Sequence, residues 1–184
     1  MFKSPRLYLV FLLLLALGNT AHAGKVKRAF EALSVYNYFK AKELFEKKWE
    51  NNKVAASFGL SIIYGRNDNP FHNMDSAHLY ITLAALNFST LEAKRKLKIK
   101  SFGVDSTSIE NWKDTIDLKS FQHAAKVNSL EEYERYMLGY FDSDFRNKAE
   151  ELRDSLVYHS MTNMSSSSAF LSFLENYPNS HLKS

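Results

Sequence analysis

The chain has 184 residues, a net charge of +4 and no cysteine. This length is typical of one domain or two very small ones, and a hydrophobic share of 45% excludes wholesale disorder. The small charge gives no reason to expect a nucleic-acid binder, and the absence of cysteine excludes disulfides, thiolate metal sites and a cysteine nucleophile.

The first 23 residues match a secretory signal peptide. Lys3 and Arg6 precede an apolar run at 7–17, and Ala-His-Ala at 21–23 fits a cleavage site with small residues at its ends. The run is shorter than the roughly 20 residues of a membrane span, which disfavours an uncleaved anchor. A bacterial lipoprotein is also disfavoured, because lipid attachment needs a cysteine and the chain has none. We therefore expect export, with 161 residues and a net charge of +2 after removal of residues 1–23.

Apolar residues recur at helical spacing through the remaining chain, and no strand pairs are evident. The pattern predicts about eight or nine helices of roughly 10–17 residues. Their apolar stripes lie, in chain order, at 26–33, 41–49, 55–64, 77–88, 109–116, 133–140, 149–157 and 169–174. We expect the fourth helix to extend through Leu97. The fifth runs towards residue 127, and Asp117 could divide it.

Polar residues predict where several of these helices begin. The predicted N-caps are Asn73 or Asp75, Asp105 or Ser106, Asn128-Ser129 and the serine run 165–168. Gly, Asn, Asp and Pro mark a loop at 65–73. On the polar face of the second helix, Glu43 and Lys47 have the spacing of an i,i+4 ion pair.

Small residues recur where paired helices would cross. Ala29 and Ala41 lie twelve residues apart and are followed by Phe45, whereas Gly59 and Ala77 lie eighteen apart because the loop 67–73 adds six residues. Tetratricopeptide units pack two antiparallel helices through such small residues, with aromatic residues between them. The predicted fold is all-α, with antiparallel helix pairs stacked as a tetratricopeptide-like helical repeat array in one domain, 24–184.

The segment 40–84 carries AKELFEKKW and AASFGLSIIYGRNDNPFHNMDSAHLYITLA, of which RNDNPFHNMDSA is the most distinctive part. It is similar to the N-terminal tetratricopeptide-like region of exported proteins of Bacteroidota-type bacteria. The ending SAFLSFLENYPNSHL resembles the F-x-x-F-x-x-x-YP-x-S signature of periplasmic tetratricopeptide proteins. This resemblance implies a non-catalytic scaffold whose concave side holds a partner segment.

In such an array the first helix of each pair faces the groove. The resemblance therefore places a partner-binding groove at Lys53, Ala56, Ile63 and Tyr64. It implies a protein partner in the cell envelope or periplasm, no nucleic acid, membrane association only through a partner, and neither cofactor nor metal.

Two alternatives remain open. His72, Asp75 and His78 could ligate a hard or borderline metal in a metal-dependent enzyme, although such residues near a helix start are more often surface or capping groups. The basic 94–100 segment within EAKRKLKIK could bind an anionic surface. It contains no stacking aromatic residue of the kind that binds single-stranded nucleic acid, and a solvated helix end is its commoner interpretation.

Overall fold

A computed structural model describes residues 24–162 and 166–183, so that the predicted signal peptide lies outside the described residues. All regular structure in these ranges is helical, with nine α-helices, two short 3₁₀ helices (Trp49–Asn51 and His181–Lys183) and no strand, which confirms the all-α prediction. The helices are α1 (24–34), α2 (Tyr38–Lys48), α3 (Lys53–Gly65), α4 (Met74–Ser89), α5 (Ala93–Lys100), α6 (Ser106–Val127), α7 (Leu130–Gly139), α8 (Arg146–Thr162) and α9 (Ser167–Asn176). None of these described helices is both long enough and apolar enough to cross a membrane.

The chain divides into two compact units between Glu110 and Asn111, within α6. Helices pack against one another within each unit. In the first unit α3 packs against both α2 and α4. In the second unit α8 packs against both α7 and α9. Extensive packing therefore joins helices that are neighbours in the sequence.

The core of the first unit contains the small residues that the sequence predicted at helix crossings. Ala29, Ala41 and Phe45 are fully buried in one hydrophobic cluster. Gly59 lies directly against the Phe45 ring, because a Cβ added to this glycine would overlap the ring atoms. The same ring meets Phe30 edge to face, at a centroid distance of 4.9 Å. The missing side chain at residue 59 therefore provides the space that Phe45 fills.

Side-chain caps begin several helices where the sequence predicted them. The Ser76 N–H donates to Asn73 Oδ1 at 2.7 Å at the start of α4. Three further caps have the same geometry, with distances of 2.9, 3.3 and 3.2 Å: Ser108 N–H to Asp105 Oδ1, Glu132 N–H to Ser129 Oγ, and Ala169 N–H to Ser166 Oγ. These bonds satisfy amide groups that have no partner within their own helix. Ser165 lies outside the described residues.

The loop between α3 and α4 is held by its own polar residues. Arg66 Nη2 lies 2.7 Å from Asp68 Oδ2, and the Tyr38 hydroxyl donates to Asp68 Oδ1 at 2.7 Å. The bonds from Arg66 and then Tyr38 lower the pKa of Asp68. Asn69 Nδ2 donates to the carbonyl oxygens of Ile63 and Arg66, each at 2.9 Å. The polar side chains of this turn therefore hold the loop against the helices beside it.

The predicted extension of α4 through Leu97 is wrong. Helix α4 ends at Ser89, and Glu92 has an extended ψ of 144° before α5 begins. The hydroxyls of Ser89 and Thr90 donate to the carbonyl oxygens of Leu86 and Asn87, at 2.7 and 3.3 Å. These bonds satisfy carbonyl groups that a continuing helix would have used. The basic residues therefore form a separate helix of 8 residues.

Two predicted side-chain roles also differ in the structure. Asp117 does not divide α6, which runs for 22 residues. Its carboxylate accepts from Lys113 Nζ at 2.7 Å, one turn away, and so does not compete for the backbone. Glu43 pairs with Lys40 at 2.9 Å, rather than in the predicted i,i+4 pair with Lys47.

Replacement of Gly59 by alanine should destabilise the protein. The new methyl group would overlap the Phe45 ring, and overpacking costs about 1–3 kcal/mol. This cost exceeds the roughly 0.5–1 kcal/mol that alanine gains over glycine inside a helix. Chemical denaturation of Gly59→Ala measures the net change in the free energy of unfolding.

Gly139 provides the matched control, because a Cβ there would meet no atom within 4 Å. Gly139→Ala should leave stability unchanged or raise it. The smaller Phe45→Leu side chain should reduce the effect of Gly59→Ala in the double variant. Equal stability of Gly59→Ala and the wild-type protein would contradict this account of the packing.

Candidate binding cleft

A cleft of about 660 Å³ opens in the first unit beside the N-terminal end of α3. Four parts of the chain form its walls: the turn after α2, the start of α3, the end of α4 with the link that follows it, and α5. The lining residues are Glu50, Asn51, Asn52, Lys53, Val54, Ala55, Asn87, Thr90, Leu91, Glu92, Arg95, Lys98 and Ile99.

Trp49 holds one wall of the cleft in place. Its indole Nε1 donates to Ser57 Oγ in α3 at 2.9 Å, which joins the turn after α2 to the next helix. The ammonium group of Lys53 lies over the same indole ring, 5.1 Å from the centroid. Such a cation–π contact is favourable at an exposed site. Lys53 is therefore positioned at the cleft while its side chain remains accessible.

Five ionisable residues line the cleft: Glu50, Lys53, Glu92, Arg95 and Lys98. Within the described residues, none of them forms a salt bridge. The three cations outnumber the two acids. The cleft thus presents charged donors and acceptors that a ligand can use without breaking an existing ion pair.

Asparagine amides add hydrogen-bonding groups of both kinds. Asn87 Nδ2 donates to the Leu83 carbonyl at 2.7 Å, and Asn52 Nδ2 donates to the Lys48 carbonyl at 3.4 Å. The Asn52 side chain forms no capping bond to α3. Neither amide oxygen accepts a hydrogen bond from the described residues. These oxygens are therefore acceptors that lie close to the cationic donors of the cleft.

The structure does not bring the four predicted groove residues together. Lys53 lies at the cleft, whereas Tyr64 lies at the other end of α3, about 16 Å away at the helical rise of 1.5 Å per residue. The Tyr64 ring stacks on Tyr80 with centroids 5.5 Å apart. Ala56 and Ile63 are fully buried in the core, so neither side chain is accessible to a partner in this structure. The reason is that α3 packs against helices on two sides.

Sequence reasoning missed Asn87, Arg95 and Lys98 as neighbours of Lys53. Arg95 and Lys98 belong to the basic 94–100 segment, but nothing in its composition indicates that α5 lies beside the start of α3. The interruption after α4 produces this placement. Ser89 and Thr90, whose hydroxyls can bond backbone carbonyl groups, were a signal that could have indicated the end of α4 at this point.

The residues of the metal-site alternative are not assembled into a site. His72 Nδ1 donates to the Tyr64 carbonyl oxygen at 3.1 Å, while His78 is buried with Nε2 3.5 Å from Thr82 Oγ1. Asp75 lies in the first turn of α4. Over the described ranges, no group of three or more His, Cys, Asp or Glu side chains could hold a metal ion.

A partly buried polar cluster in the second unit joins α6 and α7 to the turn before α8. Lys113 Nζ lies 2.7 Å from Asp117 Oδ2 and 3.4 Å from Asp142 Oδ2. The hydroxyl of Tyr136 lies 2.7 Å from Ser143 Oγ and donates to the Asp117 carbonyl at 3.3 Å. These groups satisfy one another, which is the arrangement of a structural network.

Burial raises the pKa of Tyr136 to about 12, with further contributions from the negative charges of Asp117 and Asp142. A phenol with this pKa stays protonated at neutral pH and does not act as a general base there. The second-unit cluster therefore supports packing, and the cleft of the first unit remains the better candidate for function.

Comparisons with protein-family models, with curated proteins and with solved structures found no match to this chain.

Tyr136 should titrate late, and its ionisation should destabilise the fold. A folded-state pKa of about 12, above the ordinary 10.0, gives stability that is complete below pH 10 and is lost as the pH rises towards 12. Tyr136→Phe should remove the latest step from the ultraviolet titration of tyrosine. At neutral pH it should cost about 0.5–1.5 kcal/mol, because the buried hydroxyl bonds are lost.

Tyr177→Phe is the control for this prediction, because no hydrogen bond of the Tyr177 hydroxyl occurs among the described residues. Its ring stacks on Phe173, 5.3 Å between centroids, and a phenylalanine retains that contact. Loss of the late titration step in Tyr177→Phe, with the step retained in Tyr136→Phe, would contradict the assignment.

Proposed function

We propose that this chain is an exported, non-catalytic helical-repeat scaffold that holds a segment of a partner protein in the bacterial envelope. Packing between consecutive helices supports a tetratricopeptide-like arrangement, as do the buried small residues Ala29 and Ala41 with Phe45 between the helices. The observation that carries the proposal is the cleft of about 660 Å³ beside the start of α3.

The lining of the cleft favours a protein segment over a small apolar ligand. Small-molecule pockets are lined mainly by hydrophobic and aromatic side chains. Here four of the 13 lining residues are apolar: Val54, Ala55, Leu91 and Ile99. An extended peptide presents a carbonyl and an amide at almost every residue. Asparagine amides and cationic donors are complementary to both groups.

Charge further restricts the partner. Lys53, Arg95 and Lys98 outnumber the two acids of the cleft, and no ion pair within the described ranges occupies their donors. Charge-assisted hydrogen bonds are the stronger kind. We therefore expect the bound segment to present acidic side chains to these three cations.

The proposed location follows from residues 1–23. Their positive start, apolar run and small-residue cleavage pattern are typical of a secretory signal. The resemblance of 40–84 and of the ending to exported tetratricopeptide proteins favours the same compartment. A scaffold in this location would act by positioning another envelope protein.

A photo-crosslinking side chain at Leu91 should capture the partner in intact cells. Leu91 lines the cleft. Leu138 in the second unit is 83% exposed and provides the control position. We expect a discrete protein adduct from position 91 and not from position 138. Lys53→Ala/Arg95→Ala/Lys98→Ala should reduce this adduct at least about tenfold, since bonds to charged groups contribute about 1.5–3 kcal/mol each.

The matched control, Lys25→Ala/Lys47→Ala/Lys126→Ala, removes the same charge from exposed lysines elsewhere. It should leave the adduct unchanged. Circular dichroism of both triple variants separates loss of binding from loss of folding. An adduct that persists in the folded cleft variant, or that weakens equally in both variants, would count against the proposed cleft.

Export predicts that the protein isolated from the envelope begins at Gly24. Mass spectrometry of the intact chain should show the loss of residues 1–23. Ala21→Leu/Ala23→Leu should block this processing, because the cleavage site needs small residues at both positions. Ala16→Leu makes the same kind of change within the apolar run, leaves the cleavage site intact and provides the control. A chain that begins at Met1 in the cytoplasm would contradict export.

A further inference from the structure

Helix α5 has two different faces. Ile99 is buried, and Arg95 and Lys98 line the cleft beside it. Lys94, Leu97 and Lys100 are spaced by three residues and so form an oblique row along the helix, none of whose members lines the cleft. All three are exposed, and the side chain of Leu97 is 72% accessible. We call Lys94, Leu97 and Lys100 the outer face of α5.

The charge of α5 differs from that of the other described helices. Helix α2 pairs Lys40 with Glu43, and α8 pairs Lys148 with Glu151. The sequence of α5, AKRKLKIK, contains no acid. Among the described residues, no salt bridge joins a lysine of the outer face to an acidic side chain.

Lys100 of the outer face helps to lower the pKa of the Asp105 carboxyl. The Ser108 N–H is the main cause of its lowered pKa, and Lys100 makes the smallest contribution. The exposed side chains of Lys94 and Lys100 can reach a ligand outside the chain.

The exposed Leu97 indicates which kind of anionic ligand fits the outer face. An exposed leucine between two lysines matches a surface that offers anionic groups above an apolar layer. A phospholipid membrane has this arrangement, and lysine stems can extend their ammonium groups to the headgroups while the leucine enters the interface. Nucleic acid offers phosphates, but the outer face has no aromatic side chain on which a base could stack.

We propose that the outer face of α5 binds the surface of membranes that contain anionic phospholipids. Lys94 and Lys100 attract the headgroup phosphates, and Leu97 inserts between the headgroups. This inference does not rest on the partner cleft, because Lys94, Leu97 and Lys100 are not among the residues that line it. It departs from the sequence-based expectation that membranes are reached only through a partner.

Vesicle flotation of the full chain tests the proposal. Vesicles of phosphatidylcholine alone are compared with vesicles that contain phosphatidylglycerol and phosphatidylcholine at a ratio of 3:7, at low ionic strength. The apolar run at 7–17 can bind both kinds of vesicle, so the measured quantity is the ratio of the two affinities. We expect the anionic vesicles to bind more tightly, and salt to reduce the difference.

Lys94→Gln/Lys100→Gln should lower the preference for anionic vesicles by about 25-fold, at about fivefold for each lysine near the surface. The matched control, Lys47→Gln/Lys126→Gln, removes two exposed lysines from α2 and α6. It should retain the preference. Equal losses in the two variants would overturn the proposal, because they would indicate a response to net charge alone.

The chain contains no cysteine, so a single cysteine can carry an environment-sensitive dye. A dye at Leu97→Cys should shift its emission to the blue on anionic vesicles, whereas one at the exposed Leu138→Cys should not. An unchanged spectrum at position 97 would overturn insertion. Tight binding of duplex DNA or polyglutamate that depends on the outer-face lysines, without a preference for anionic vesicles, would overturn the membrane assignment.

Discussion

The close contact between Phe45 and Gly59 is the constraint on which the first unit depends. The ring of Phe45 lies where a side chain at residue 59 would be, which allows α2 and α3 to approach closely. Helix α3 also packs against α4, and ten of its 13 residues are buried. Its central residues therefore serve the core, and its N-terminal end remains available to form the cleft.

Helix α5 gives the first unit two chemically different surfaces. Arg95 and Lys98 lie at the cleft beside the Asn87 amide, whereas Leu97 lies on a face without cleft residues. Because one short helix supports both surfaces, the proposed protein partner and the proposed membrane surface need not compete for the same side chains. Their separation also allows each proposal to be tested with variants that leave the other face intact.

The sequence predicted the parts of this structure that depend on short-range chemistry. Helical spacing of apolar residues, the Asn73 and Ser129 caps and the small residues at Ala29 and Ala41 were all identified, because neighbouring residues determine them. The break at Glu92 was missed, since apolar periodicity continues across it. Ala56 and Ile63 are buried because helices pack against α3 from two sides. Arg95 lines the cleft because the fold places α5 beside the start of α3. Local patterns carry no direct information about such contacts.

The extensive packing between consecutive helices in α2–α4 and in α7–α9 has a kinetic consequence. Contacts between α2, α3 and α4 join residues that are close in sequence, and so do those between α7, α8 and α9. Such contacts close short loops, which lowers the entropic barrier to folding. If exported as proposed, the chain can therefore assemble each helix pair in the order in which the pairs cross the membrane. It would expose little unpaired apolar surface while the remainder of the chain was still in transit.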